Sequence, residues 1–235
     1  MRYPDVIKAT FLSRPNRFVA QVEVEGRVTV AHVKNTGRCR ELLVPGAAVF
    51  LQQHHNPSRK TPFSLIAVQK GELLINMDSQ APNQVWDEAL ADGLYIPELG
   101  VADTIHREVT WGHSRLDFLV ECGKRSAYME VKGVTLEENR VVRFPDAPTE
   151  RGVKHLHTLM EINQSGGMAY VVFIVQMEGA QYFTPNADMH PAFAQTLREA
   201  SEQGVKILAY ECHVEPDGLK VTKPVPIRLL EKNNI

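Results

Sequence analysis

Asp117, Glu130 and Lys132 are the residues whose types and spacing can do chemistry in this sequence. Glu130 and Lys132 lie two apart in Ala127–Lys132, a run that alternates apolar and polar residues. On a strand they project from one face, about 6–7 Å apart. Asp117 falls in the preceding alternating run, Arg115–Glu121, and Cys122-Gly123-Lys124-Arg125 reads as the loop of a hairpin joining the two. Pairing the strands brings Asp117 beside the other two. Two carboxylates on one patch can hold a hard cation such as Mg²⁺, and a lysine there can stabilise charge developing on a phosphate. That is a phosphodiesterase-type site in outline. Glu-x-Lys alone is a weak signal, however, and the same residues equally describe a salt bridge on a solvated sheet face. Met129 and Val131 supply the opposite, apolar face, and Gly133 allows a backbone turn or the close approach of a ligand.

The elements that must position this patch follow from the hydrophobic pattern. From Val6 to about Met77 the chain reads as five or six short strands punctuated by turns: Phe18–Val24 alternates, Glu25-Gly26 turns, Arg27–Val33 returns, and Ser64–Gln69 pairs with Glu72–Asn76 across Lys70-Gly71. So many short strands in some seventy residues predict a small barrel, OB-like by first choice. Asn35–Leu42 reads either as a turn followed by one helical turn or as a phosphate-facing loop. In the second case Arg38 and Arg40 are joined by Arg14, Arg17, Arg59 and Lys60. Adjacent His54 and His55 point to opposite faces of a strand and are expected to be solvated rather than to share a metal.

Asp78–Asn83, with Pro82, marks a boundary, giving a β-barrel domain over 1–80 and an α/β domain over 81–235. The second begins with a helix over Asn83–Leu94, capped by Asn83, with Glu88 on its far side. Strand Thr104–Trp111 then precedes the hairpin. A helix starts near Thr149 and ends at Gly166-Gly167, Met168–Val175 reads as a strand buried on both faces, His190–Gln203 is helical and Val205–Cys212 is a further strand. The result is a mixed sheet flanked by helices. Lys220–Ile235 is expected to lie over the surface.

Composition is that of an ordinary globular chain with a net charge of −2, but residues 1–80 carry 11 Lys+Arg against 6 Asp+Glu and residues 81–235 carry 15 against 22. The basic first part is compatible with nucleic-acid binding. Three cysteines without a C-x-x-C pair argue against a disulfide framework or zinc ribbon and fit a reducing, cytoplasmic setting. No apolar stretch reaches membrane-spanning length.

The order helix, three-stranded meander, helix, strand, with Asp117 on the second strand and Glu130-Val131-Lys132 on the third, resembles the PD-(D/E)xK nuclease core. That resemblance implies two acids binding Mg²⁺ or Mn²⁺, a lysine orienting or activating water, and help from an acid on the first helix, here Glu88. A closer likeness rests on Arg115-x-Asp117-Phe118, Val134-Thr135-Leu136, Phe144-Pro145-Asp146-Ala147-x-Thr149-Glu150-Arg151-Gly152-x-Lys154-His155-Leu156, Asn35-Thr36-Gly37 and Gly204-Val205-x-Ile207-Leu208-Ala209-Tyr210. Over essentially its whole length the chain resembles the sugar fermentation stimulation protein A (SfsA) family, departing from its pattern at Lys34, where a proline is expected. The resemblance implies an OB-like barrel joined to a nuclease-like domain, DNA binding without strong sequence preference, and a proposed regulatory role in sugar (maltose) metabolism. The candidate nucleic-acid contacts are Arg14, Arg17, Asn35, Thr36, Arg38 and Arg40. Candidate accessory groups near the acids are Glu88, Asp146, Glu150, Arg151 and His155, with His157, on another face of its helix, solvated.

Three functions remain open at this point: a DNA-binding regulator whose nuclease-like core no longer cleaves, a metal-dependent nuclease acting on DNA or RNA, and a carbohydrate-binding OB module. Trp86 and Trp111 are the only tryptophans, so stacking platforms for sugars or bases are few.

Overall fold

Alternating runs separated by tight turns fold into a closed barrel in the computed structural model, which describes residues 1–35, 37–56 and 58–229. Its strands are β1 (Val6–Asn16), β2 (Val19–Val24), β3 (Arg27–Val33), β4 (Ala48–Gln53), β5 (Phe63–Lys70) and β6 (Leu73–Asn76). They run in the order β3-β2-β1-β4-β5-β6, and a parallel β3–β5 pairing closes five of them. Closure removes the exposed edges that a short sheet would otherwise present. The β2–β3 turn places Glu25 at φ +50° and Gly26 at φ +76°, the left-handed pair that a two-residue hairpin requires. Register shifts in β1 after Phe11 and Ser13 bend that strand around the barrel.

The rest of the described chain comprises α1 (Ala81–Ala91), β7 (Thr104–Trp111), β8 (Ser114–Cys122), β9 (Arg125–Val134), β10 (Leu136–Glu138), β11 (Val141–Phe144), α2 (Glu150–Gln164), β12 (Met168–Val175), β13 (Tyr182–Pro185), α3 (Pro191–Glu202), β14 (Lys206–Glu215) and β15 (Gly218–Pro224). The main sheet runs β15-β14-β12-β9-β8-β7. β12 is parallel to β9 and β14, and the remaining pairs are antiparallel, so the sheet is mixed as expected. Val85, Trp86 and Leu90 of α1 share a core with Met129 and Val131. Leu156 and Leu159 of α2 and Phe193 and Leu197 of α3 share one with Val171 and Phe173. With both faces covered, β12 is buried from Ala169 to Val175, which is why it reads as an unbroken apolar run.

Some elements differ from the sequence expectations. Helix α1 begins at Ala81, not Asn83, and its cap residue Gln80 makes no side-chain bond. Pro82 sits in the first turn, where its missing N–H costs nothing, so it starts the helix rather than preceding it. The hairpin β10–β11 was hidden because its turn residues, Asn139 (φ +53°) and Arg140 (φ +66°), carry no glycine signal. The segment expected as a surface tail instead supplies β15, an edge strand paired with β14, and residues 230–235 lie outside the described part. Thr149 caps α2 as expected, its hydroxyl accepting from Gly152 N at 3.1 Å. Cys39, Cys122 and Cys212 are buried and unpaired. Among the described residues no helix is long and apolar enough to cross a membrane.

Candidate active site and nucleic-acid interface

The hairpin β8–β9 places Asp117 next to Glu130. Its ladder runs from Cys122↔Arg125 to Phe118↔Met129. At the next position the backbone pairing gives way, and the Asp117 carboxylate takes the N–H of Val131 at 2.8 Å. Alternation breaks here as well: Leu116 packs with the α2 side of the sheet while Phe118, two residues on, packs with the α1 side. Glu108, facing Asp117 on β7, has φ +55°, a local kink of the kind that re-aims side chains. The other oxygen of Asp117 accepts from Asn83 Nδ2 at 2.9 Å.

Glu130 and Lys132 share a face, as their spacing requires, and form an ion pair. The imidazole of His155, buried on α2, meets the same Glu130 oxygen, Oε1, through Nδ1. Arg151 Nε lies 3.4 Å from His155 Nε2, extending the chain of polar contacts to the surface. Glu130 Oε2 is buried and has no hydrogen-bond partner among the described residues.

Environment drives the two carboxyls in opposite directions. Burial, then the neighbouring charge of Glu130, pushes Asp117 above the usual carboxylate range, against the Val131 N–H, Lys132 and Asn83. Burial also acts upward on Glu130, but the hydrogen bonds and charges of His155 and Lys132 outweigh it and hold Glu130 below its ordinary value. Glu130 is therefore the firmly ionised member, and Asp117 is the member that a cation would relieve.

The accessory candidates divide. His155 joins the acids and His157 is exposed, as a helix requires of residues two apart. Glu88 does not join them, which corrects the nuclease-core expectation. Its carboxylate pairs with the Met1 amino group at 2.5 Å and accepts from Gln84 at 3.1 Å. The α1 face that meets Asp117 carries Asn83, and five residues further along the helix point elsewhere. Glu150, 88% exposed, lies 3.2 Å from His190 at the α2 N-terminus. Asp146 lies apart from the acids, against the barrel. A Cβ at Gly133 would sit 2.5 Å from Gln176 Oε1 and 2.7 Å from Pro82, so its missing side chain serves the protein's own packing.

On the barrel, Arg17, Arg38 and Arg40 line one open cleft with Asn16 and Ala147, and all three are exposed. Among the described residues none of them pairs with a carboxylate. Arg17 lies over the exposed ring of Phe18 at 5.8 Å. Arg14, expected as a phosphate contact, is used differently. Nη1 donates to Gly37 O and Arg38 O, both at 2.9 Å, and Nη2 to Arg17 O at 2.7 Å and Asn35 O at 2.8 Å. It ties the two basic loops together, a positioning role that charge counting does not reveal. Asn35 Oδ1 accepts from Gly37 N at 2.8 Å, and Thr36 lies outside the described residues. Lys34 pairs with buried Asp78 at 2.5 Å. His54 is not simply solvated, since its Nε2 meets Ser64 Oγ at 2.8 Å. Trp86 is fully buried and offers no stacking face.

Comparison with known proteins agrees over the whole length. Residues 12–77 match the family model described as the SfsA N-terminal OB domain, and residues 80–218 match the sugar fermentation stimulation protein RE domain. A sugar fermentation stimulation protein homolog of Desulfitobacterium hafniense is 53% identical over 231 residues, covering 98% of this chain and all of that one. Another, of Clostridium beijerinckii, is 48% identical over 229 residues, covering 97% and 100%. A solved structure, Pyrococcus furiosus SfsA in complex with Ca²⁺, superposes with a TM-score of 0.87 at 30% identity over 97% of this chain and 98% of that one. The chain belongs to the sugar fermentation stimulation protein family.

Proposed function

We propose that this protein binds DNA with little sequence preference and cleaves phosphodiester bonds with the help of a divalent cation, Mg²⁺ or Mn²⁺. The observation that carries the reading is the acid pair. Glu130 Oε2 is buried without a partner among the described residues, and Asp117 is pushed up by burial and by Glu130's charge. A buried acceptor without a donor is costly, and two carboxylates sharing one site repel. A hard cation taking one oxygen from each relieves both penalties, with water and phosphate oxygens completing its shell. The donor set fits such an ion, and the Ca²⁺ complex of the P. furiosus relative supports the assignment. When bound, the ion supplies Lewis-acid neutralisation of the phosphate.

The chain's own residues would do the rest. Asn83 and the Val131 N–H fix Asp117, and His155 fixes Glu130. Lys132 presents its ammonium on the face of Glu130, where it can stabilise charge growing on a phosphate oxygen. Exposed Arg17, Arg38 and Arg40 grip the backbone through charge, which carries no base information. A non-cleaving DNA-binding role, regulatory for sugar metabolism, is the second reading. It is favoured by one observation: Lys132 is already engaged by Glu130 and so is not aimed at a substrate.

The test is incubation of the purified protein with plasmid, single-stranded DNA and RNA, with and without Mg²⁺ or Mn²⁺, beside Asp117→Ala. Metal-dependent nicking by the wild type alone is expected. Binding without nicking would leave the second reading standing.

A further inference from the structure

A cavity of about 160 Å³ lies between the barrel and the second sheet, where two segments distant in sequence meet. Asn35 and Gly37 form one wall, Leu136, Phe144 and Asp146 another, and Gly133 and Gln176 part of the floor. It is larger than one ordered water needs and smaller than a drug-sized pocket, the scale of a single planar ring. Gly133 follows Lys132 on β9, where successive side-chain directions alternate, so the cavity is lined from the other face of that strand and not by Asp117 or Glu130. Gly37 lines both this cavity and the cleft of Arg17, Arg38 and Arg40. The cavity therefore adjoins the cleft whose cations would grip a strand.

Its polar groups are held in place and have bonding capacity left over. Asp146 packs so tightly on the barrel loop that a Cβ at Gly37 would lie 1.8 Å from its Oδ2. Apart from its own backbone, its one described donor is the weak Cys39 thiol at 3.9 Å. Asn35 uses Oδ1 on Gly37 N, leaving its amide N–H groups to donate. Gln176 uses Nε2 on Asn76 and Asp78, leaving Oε1 as an acceptor. Leu136 and Phe144 add apolar surface for a ring face.

We propose that this cavity receives one unstacked base of the bound strand, with Asp146 and Asn35 reading its edge. Guanine fits best. Its N1–H and N2–H₂ offer two parallel donors to one carboxylate, and its O6 accepts from an amide. Thymine offers a single donor. Such recognition requires a base free of pairing, so the preferred substrate is single-stranded or locally opened nucleic acid. The proposal rests on the nucleic-acid-binding reading above.

The test is fluorescence anisotropy in EDTA, which removes cleavage from the readout, with labelled d(GT)₈, d(IT)₈ and dT₁₆. Hypoxanthine in d(IT)₈ differs from guanine only in lacking the N2 amine. The wild type should bind d(GT)₈ about fivefold or more tightly than d(IT)₈, from loss of a charge-assisted hydrogen bond. Asp146→Asn, and independently Asp146→Ala, should bring that ratio to about one while leaving dT₁₆ affinity unchanged. Unchanged dT₁₆ binding also shows that each variant is folded. A ratio near one in the wild type with dT₁₆ still bound overturns the base pocket and leaves DNA binding intact, as does a ratio that survives Asp146→Asn. Failure to bind any of the three strands overturns the nucleic-acid reading itself, and the pocket with it.

Discussion

Arg17, Arg38 and Arg40 stand exposed around an open cleft on the barrel, whereas Glu130, Lys132 and His155 are packed between sheet and helix, none more than 17% exposed. On the proposed reading the arginines would act as solvated charges, each adding to DNA affinity separately and all weakened by salt. The buried patch works as a unit: a change at one member alters the protonation and orientation of the others. Grip and chemistry should therefore separate under mutation.

The sharpest way to break that separation is Lys132→Met. Cleavage should fall by on the order of 10²–10³-fold, the scale for removing one charge-stabilising group from an active site. DNA affinity should change by about threefold or less, because that ammonium is already held by Glu130. Parallel losses in both quantities would show that the two regions are not independent.

Next in size is the pair Arg38→Ala with Arg40→Ala. Affinity should fall about 10- to 100-fold at low salt, and the log–log salt slope should flatten by about 2, one for each lost phosphate contact. Cleavage at saturating DNA should be preserved. Equal weakening at every salt concentration would instead indicate a collapsed loop.

Much of the architecture was legible in the sequence. The period-2 runs gave the barrel and the meander, and the all-apolar Met168–Val175 announced a central parallel strand. The Glu130–Lys132 pairing followed from spacing alone. Other features depended on three-dimensional contacts that leave no local trace. Asn83 rather than Glu88 lies beside Asp117 because five residues along α1 turn a side chain to another face. Arg14 holds a loop through four carbonyl oxygens, and nothing in a count of basic residues distinguishes it from Arg38. Asp146 and Gly37 are more than a hundred positions apart, and only the packed structure reveals their contact.

Smaller effects probe the join between barrel and second sheet. Lys70 donates to Glu137 Oε2 at 2.7 Å and to its carbonyl at 2.5 Å. Burial raises the Glu137 pKa, but the Lys70 bond and the Arg140 N–H more than offset this and leave it lowered. A depressed carboxyl stabilises the fold above its unfolded value near 4.5, and that stability is lost as pH falls through the folded value. Lys70→Met should therefore destabilise the protein by about 1–3 kcal/mol at pH 7. In denaturant titrations its deficit against the wild type should shrink progressively below about pH 4.5. A deficit independent of pH would point to lost packing instead. Smallest of all is Glu88→Gln, which should leave cleavage unchanged and alter stability by under about 1 kcal/mol, as expected for a half-exposed ion pair.

The account turns on Asp117 and Glu130 jointly holding a divalent cation, and calorimetric titration with Mn²⁺ tests this without reference to activity. The wild type should show a saturable heat of binding that disappears in Asp117→Asn. Identical heats from the two proteins would contradict it.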